Sequence, residues 1–356
     1  MFIPGRILSR QFYQAVVSPL LSINFPSLPI AAALLGPGSD VLGYDDQIST
    51  DHDWGPRLQL FIREQDLEQQ AHLKKLLEEQ LPETFARFPV DRCSDSAGEG
   101  LLPTKVQLGV RVTTLSEFVS WILGIDPQRP IDAEDWLTFP SQALLSLTVG
   151  PVHHDGIGNL TSLRQKLAWY PADIWRYLLA CGWQRIGQEE HLMPRAGLVG
   201  DELGSAIIGS RLVGDIMQLS FLLERRYAPY PKWFGTAFAQ LPIAAQLLPT
   251  LTRIQHADSW QERGAALGEV LPRLAKMQNQ LGLCEALPEE MTPFHNRPFH
   301  VIKGELFAQM LIGSITGPTV KQITERHLIG SIDQFSDSTD LKAGDRRQVL
   351  RQLFLP

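Results

Sequence analysis

A chain of 356 residues exceeds what one average hydrophobic core holds, so two domains are the default expectation. With 32 Lys and Arg against 39 Asp and Glu, a net charge of −7, and no basic run longer than two residues, the composition argues against a broad nucleic-acid footprint and favours a small polar partner. The three cysteines, Cys93, Cys181 and Cys284, are odd in number, far apart and without any C-x-x-C pairing, which suits a reducing, cytoplasmic setting without a structural zinc site.

Arg6 and Arg10 precede an apolar stretch from Phe12 to Leu35, but Pro19, Pro26 and Pro29 cut it into pieces too short for a secretory core or a membrane span. The expectation is a first helix over about 9–21 that covers a sheet. Residues 30–35 then read as a buried strand stopped by Gly36-Pro37-Gly38-Ser39, where glycine permits a tight bend. A turn of this kind presents backbone N–H groups, with the Ser39 hydroxyl, to an anion such as a triphosphate. Asp51 and Asp53 follow, separated by one residue, and Leu58 to Ile62 is apolar. If Asp51–Asp53 lead into a strand, both carboxylates share a face and converge on a divalent cation; hard oxygen ligands beside phosphate imply Mg2+.

The order Gly38-Ser39, Gly43, Asp51-His52-Asp53 resembles the signature of the nucleotidyltransferase superfamily, shared by polymerase beta-like enzymes and aminoglycoside adenylyltransferases. The resemblance implies an α+β chain: an N-terminal nucleotidyltransferase-like mixed sheet with covering helices over 1–140, then a mainly helical bundle over 141–356. It also implies ATP or another nucleoside triphosphate as substrate, Gly38 and Ser39 at its phosphates, Asp51 and Asp53 as metal-binding catalytic carboxylates, and a small-molecule hydroxyl as acceptor. Two departures stand out. His52 occupies a position that is usually apolar, and on the strand read over 105–115 the place of the family's general-base glutamate falls to Arg111, which can neither accept a proton at neutral pH nor ligate a cation. A non-catalytic nucleotide- or partner-binding protein that keeps the fold is therefore the alternative.

Further along, Leu67, Ala71, Leu73, Leu76, Leu77 and Leu81 form the stripe of an amphipathic cover helix over 66–81. The prolines at 127, 130 and 140 mark a connector, and His153-His154-Asp155, flanked by Gly150, Pro151, Gly156 and Gly158, reads as a turn. From Leu163 the pattern is helical, with long helices expected over 171–192 and 198–226. On the second, Arg211 and Asp215 share a face. The stretch 224–234 combines three cations with aromatic rings, and carrying over the family's two-domain plan places Lys232 at the triphosphate. For the missing base, the acids considered are Glu189, Glu190, Asp201, Glu202 and Asp215, with Asp201 and Glu202 preferred because a helix start beside Gly200 leaves them free to face a cleft. The stretches GYDDQISTDHDWGPR, DELGSAIIGSRLVGDIM and RRYAPYPKWFGTAF also resemble a bacterial group of nucleotidyltransferase-like proteins without an assigned function.

Overall fold

The structure, a computed structural model, describes residues 2–51, 54–90 and 109–355. It is an α+β chain whose largest sheet has four strands in the order β3-β2-β1-β4, with β1 Ala31–Ala33, β2 Leu58–Ile62, β3 Val110–Thr114 and β4 Val152–Asp155. β1 pairs antiparallel with both β2 and β4, while β2 and β3 run parallel, so the sheet is mixed. Every residue of β1 and β2 is buried.

The alternation along β2 sorts the sheet into two faces. Leu58, Leu60 and Ile62, with Ala32 and Val112, meet Phe12, Val17 and Leu21 from the first helical segment and Leu73 and Leu77 from the cover helix Gln70–Gln80. The opposite face carries Gln59 and Phe61 beside their registered partners Arg111 and Thr113, and Phe61 meets Phe118 of the helix Leu115–Leu123 edge to face at 5.3 Å. Thr114 caps that helix by accepting from the Glu117 amide. The first helical segment runs from Gly5 to Asn24, longer than expected, through a π turn at Tyr13–Val17 just before Pro19, where no amide is available to continue the regular ladder.

The chain forms two compact units, neither contiguous in sequence: 1–131 with 139–168 and 338–349, and 132–138 with 169–337 and 350–356. A single cut at 140 would separate β4 from the sheet it completes. His153-His154-Asp155 is thus a strand rather than a turn, because the backbone groups of β1 on its second side need a partner that the local sequence does not announce.

The second unit is mainly helical. Its helices include Ala172–Glu189, Glu202–Leu223, Ala244–His256, Trp260–Gln280 and Gly304–Gly313. Glu202–Leu223 is long enough, at a mean hydropathy of 1.4, to cross a membrane by length and composition, yet half of it is buried inside the protein.

Candidate functional site

The Gly36–Ser39 turn is braced by a buried ion pair. Arg57, 2% exposed, binds fully buried Asp40 through Nε (3.0 Å) and Nη2 (2.7 Å), and the same Nη2 donates to the Pro37 carbonyl at 2.7 Å. One guanidinium therefore ties the start of β2 to both ends of the turn, with the bidentate geometry that makes arginine suited to carboxylates. Gly38 sits at φ +131°, and a Cβ there would collide with Asp40 Oδ1 and Arg57 Nη2, so only glycine fits. Ser39 opens a short helix, Ser39–Leu42, whose first amides have no intrahelical acceptor; Asp40 Oδ1 takes the Val41 amide.

The segment after the turn is held by its own carboxylates. Asp45 accepts from the Gly5 amide at 2.6 Å and from Trp54 Nε1 at 2.8 Å, and Asp46 accepts from the amides of Ile48 and Ser49. This Asp46 turn starts a 3-10 helix over Ile48–Asp51, and β2 begins only at Leu58, after Gly55-Pro56. Asp51 is thus not on a strand, and the expected period-two argument for a shared face does not apply to it. Asp53 and His52 lie outside the described residues. Among the described residues, no group of three or more His, Cys, Asp or Glu side chains could hold a metal ion.

Across the sheet, Ser9 Oγ donates to the Arg57 carbonyl at 2.6 Å and lies 2.8 Å from His153 Nε2. Burial, with Arg10 nearby, pushes the His153 pKa down to about 4, so its ring is neutral at pH 7. Arg111 lies where the glutamate was expected. Its guanidinium sits 4.5 Å from the centre of the Trp121 ring; burial lowers its pKa and the Glu117 carboxylate opposes that shift.

The residues expected to complete the site from the helical region have other engagements in the second unit. Asp201 caps its own helix by accepting from the Gly204 amide at 2.7 Å. Glu202 binds Arg263, a nearly buried arginine that also donates to Ser205 Oγ and the Ala257 carbonyl. The expectation that either carboxylate stands free beside Gly200 therefore gives way to helix capping and ion pairing. Asp215 pairs with Arg185 at 2.9 Å and Arg211 with Glu189 at 2.5 Å, rather than with each other. Lys232, in the first turn of the helix Pro231–Phe238, has its ammonium 5.1 Å from the Trp233 ring centre. The aromatic corner around it packs inward: Tyr227 meets Trp169 and Tyr170 at 5.0 Å each, and Arg225 lies over Trp175 at 4.1 Å.

Another of the acids considered, passed over in favour of Asp201 and Glu202, is buried in this unit. Glu190, 5% exposed, accepts from the amides of Ile302 (2.6 Å) and Gly304 (3.1 Å), and it lines two cavities of about 450 Å3 each. Burial drives its pKa up to about 7, against the pull of those amides.

Residues 136–234 match a family model described as a domain of unknown function, DUF4037. No curated protein matches the chain. Among solved structures, the chain is similar to a nucleotidyltransferase-like protein from Exiguobacterium sibiricum 255-15, at 11% identity, over 82% of this chain and 97% of that one, with a TM-score of 0.28. A TM-score of that size does not establish a common fold.

Proposed function

We propose that the chain transfers a nucleoside monophosphate from ATP or another nucleoside triphosphate to a hydroxyl of a small molecule. The acceptor oxygen would bond to the α-phosphorus, the bond from that phosphorus to the bridging oxygen would break, the hydroxyl proton would pass to a base or to water, and pyrophosphate would leave. The observation that carries this reading is the turn after β1, braced by the Arg57–Asp40 pair and followed by Asp51 and Asp53 in sequence. Gly38 and Ser39 would hold phosphate oxygens, and Asp51 and Asp53 would hold Mg2+. Two carboxylates plus substrate phosphates are the hard donor set that magnesium prefers. When bound there, the ion neutralises charge at the phosphates. With Asp201 and Glu202 engaged elsewhere, the reading assigns the base to neither. A cytoplasmic setting belongs to the same reading, in keeping with the free thiols of Cys181 and Cys284.

ATP binding followed with and without Mg2+ tests it. Asp51→Asn and Asp53→Asn should each abolish the magnesium-dependent part of binding while thermal unfolding stays unchanged, and unchanged affinity in both variants would overturn the assignment.

Arg111 favours a second reading, a nucleotide-binding protein that does not catalyse, because the strand that would bring a base brings a guanidinium instead. Labelled ATP with magnesium and candidate hydroxyl acceptors separates the two. Pyrophosphate is released on the first reading, and binding without release marks the second.

A further inference from the structure

Arg111 and Gln59 are registered partners on parallel neighbouring strands, so their side chains leave the same face of the sheet. Gln59 is only 7% exposed, and its Nε2 reaches the Leu35 carbonyl, the residue before the turn, at 3.4 Å. Its Oε1 is buried with no hydrogen-bond partner. Leaving such an atom unmatched forfeits its hydration without a compensating bond. Arg111 is half-buried and forms no ion pair or hydrogen bond to any described residue; its contacts are the Trp121 ring and the field of Glu117, whose carboxylate already accepts from Thr113 Oγ1 at 2.6 Å. Trp121 also closes on the turn: a Cβ built on Gly36 would stand 3.8 Å from its Cζ3. A partly desolvated cation with five donors and the start of a glycine turn thus meet around one indole, with Gln59 beside Arg111 on the neighbouring strand.

A partly buried guanidinium whose described counter-charge, Glu117, makes no hydrogen bond to it and is engaged by Thr113 is stabilised by an arriving anion, and phosphate matches its donor fork. We infer that Arg111 is an anion-binding residue that takes the pyrophosphate portion of the nucleotide at the Gly36 end of the turn, where the enzymes this chain resembles present a carboxylate. Gln59 is the registered neighbour of Arg111 on the adjacent strand. This inference rests on the nucleotide reading above and adds a consequence to it. A cation in place of a carboxylate removes one ligand for metal and supplies part of the phosphate neutralisation directly, so part of the binding persists without magnesium.

Titration calorimetry with inorganic pyrophosphate and with ATP, each in EDTA and in magnesium, checks this on the full chain. Arg111→Gln should weaken pyrophosphate binding in EDTA at least tenfold, and Arg111→Lys should restore part of it. Gln59→Glu puts a carboxylate beside Arg111, so it should weaken anion binding as strongly while leaving the arginine in place, which keeps the test open if Arg111→Gln folds poorly. If Arg111→Gln and Gln59→Glu both bind like the parent while Asp51→Asn loses its magnesium-dependent binding, Arg111 is a structural arginine and the nucleotide reading stands. Pyrophosphate binding that depends on Arg111, without nucleotide binding, keeps this site and removes that reading. Binding of neither ligand removes both.

Discussion

The two units put their charged groups to different uses. In the second unit the acids close on their own surroundings: Asp215 on Arg185, Glu189 on Arg211, Glu202 on Arg263, and Asp173 on the amides of Thr316 and Gly317. Buried atoms without a hydrogen-bond partner in the structure occur there too, among them Gln278 Nε2, whose side-chain oxygen accepts from Trp183 Nε1 at 3.1 Å. In the first unit the buried pair Arg57 with Asp40 braces a turn, while among the described residues Gln59 Oε1 and His153 Nδ1 have no hydrogen-bond partner and the Arg111 guanidinium lies over the Trp121 ring. Paired charges specify a fold, whereas groups held in place but left unmatched are what a ligand can use.

The sharpest way to break this contrast is to remove one side of the bracing pair. Asp40→Ala leaves the Arg57 guanidinium buried without its carboxylate and should cost about 3–5 kcal/mol in denaturant unfolding. A loss below 1 kcal/mol would mean that the turn does not depend on the pair.

Glu190 tests the helical unit. Its carboxyl protonates more readily in the folded chain than in the unfolded one, so folding takes up a proton between pH 4.5 and about 7. Stability should therefore fall as pH rises through that window, by roughly 3 kcal/mol at most, and level off above it. Glu190→Gln should flatten this slope. His153 has the opposite sign: its depressed pKa makes stability fall as pH drops from 6.5 towards 4. Parallel pH series on Glu190→Gln and His153→Asn should then change slope in opposite directions.

The smallest effect belongs to an exposed pair. Arg253 and Glu269, 57% and 46% exposed, lie 2.7 Å apart, and Arg253→Ala should change stability by about 0–1 kcal/mol, diminishing with salt.

Much of the first unit was readable from the sequence. An apolar run halted by Gly36-Pro37-Gly38 points to a strand and a tight turn, and the Val-Thr-rich stretch around Arg111 is β3 over Val110–Thr114, within the strand expected at 105–115. What failed were features decided at a distance. The Asp46 side chain captures the amides ahead of Asp51 and turns the chain there, and β4 exists because β1 has a second side to pair. Ion-pair partners were missed for the same reason: Asp215 has Arg211 four residues away, but its bond goes to Arg185, 30 positions back on another helix. The spacing of residues along one helix cannot report which neighbouring helix brings the better donor.

The interleaved chain path has a consequence for synthesis. Arg347 donates to the Ile122 carbonyl at 3.0 Å, and Gly124 packs so closely on the Gly344 carbonyl that a Cβ would not fit, so residues 338–349 are integral to the first unit. A ribosome releases residues 1–168 long before that last segment. The nascent sheet must therefore wait, its 122–124 corner uncovered, while nearly the whole helical unit is made. Truncations that stop before residue 338 should expose that corner to proteases and chaperones, even though every strand of the sheet is already present.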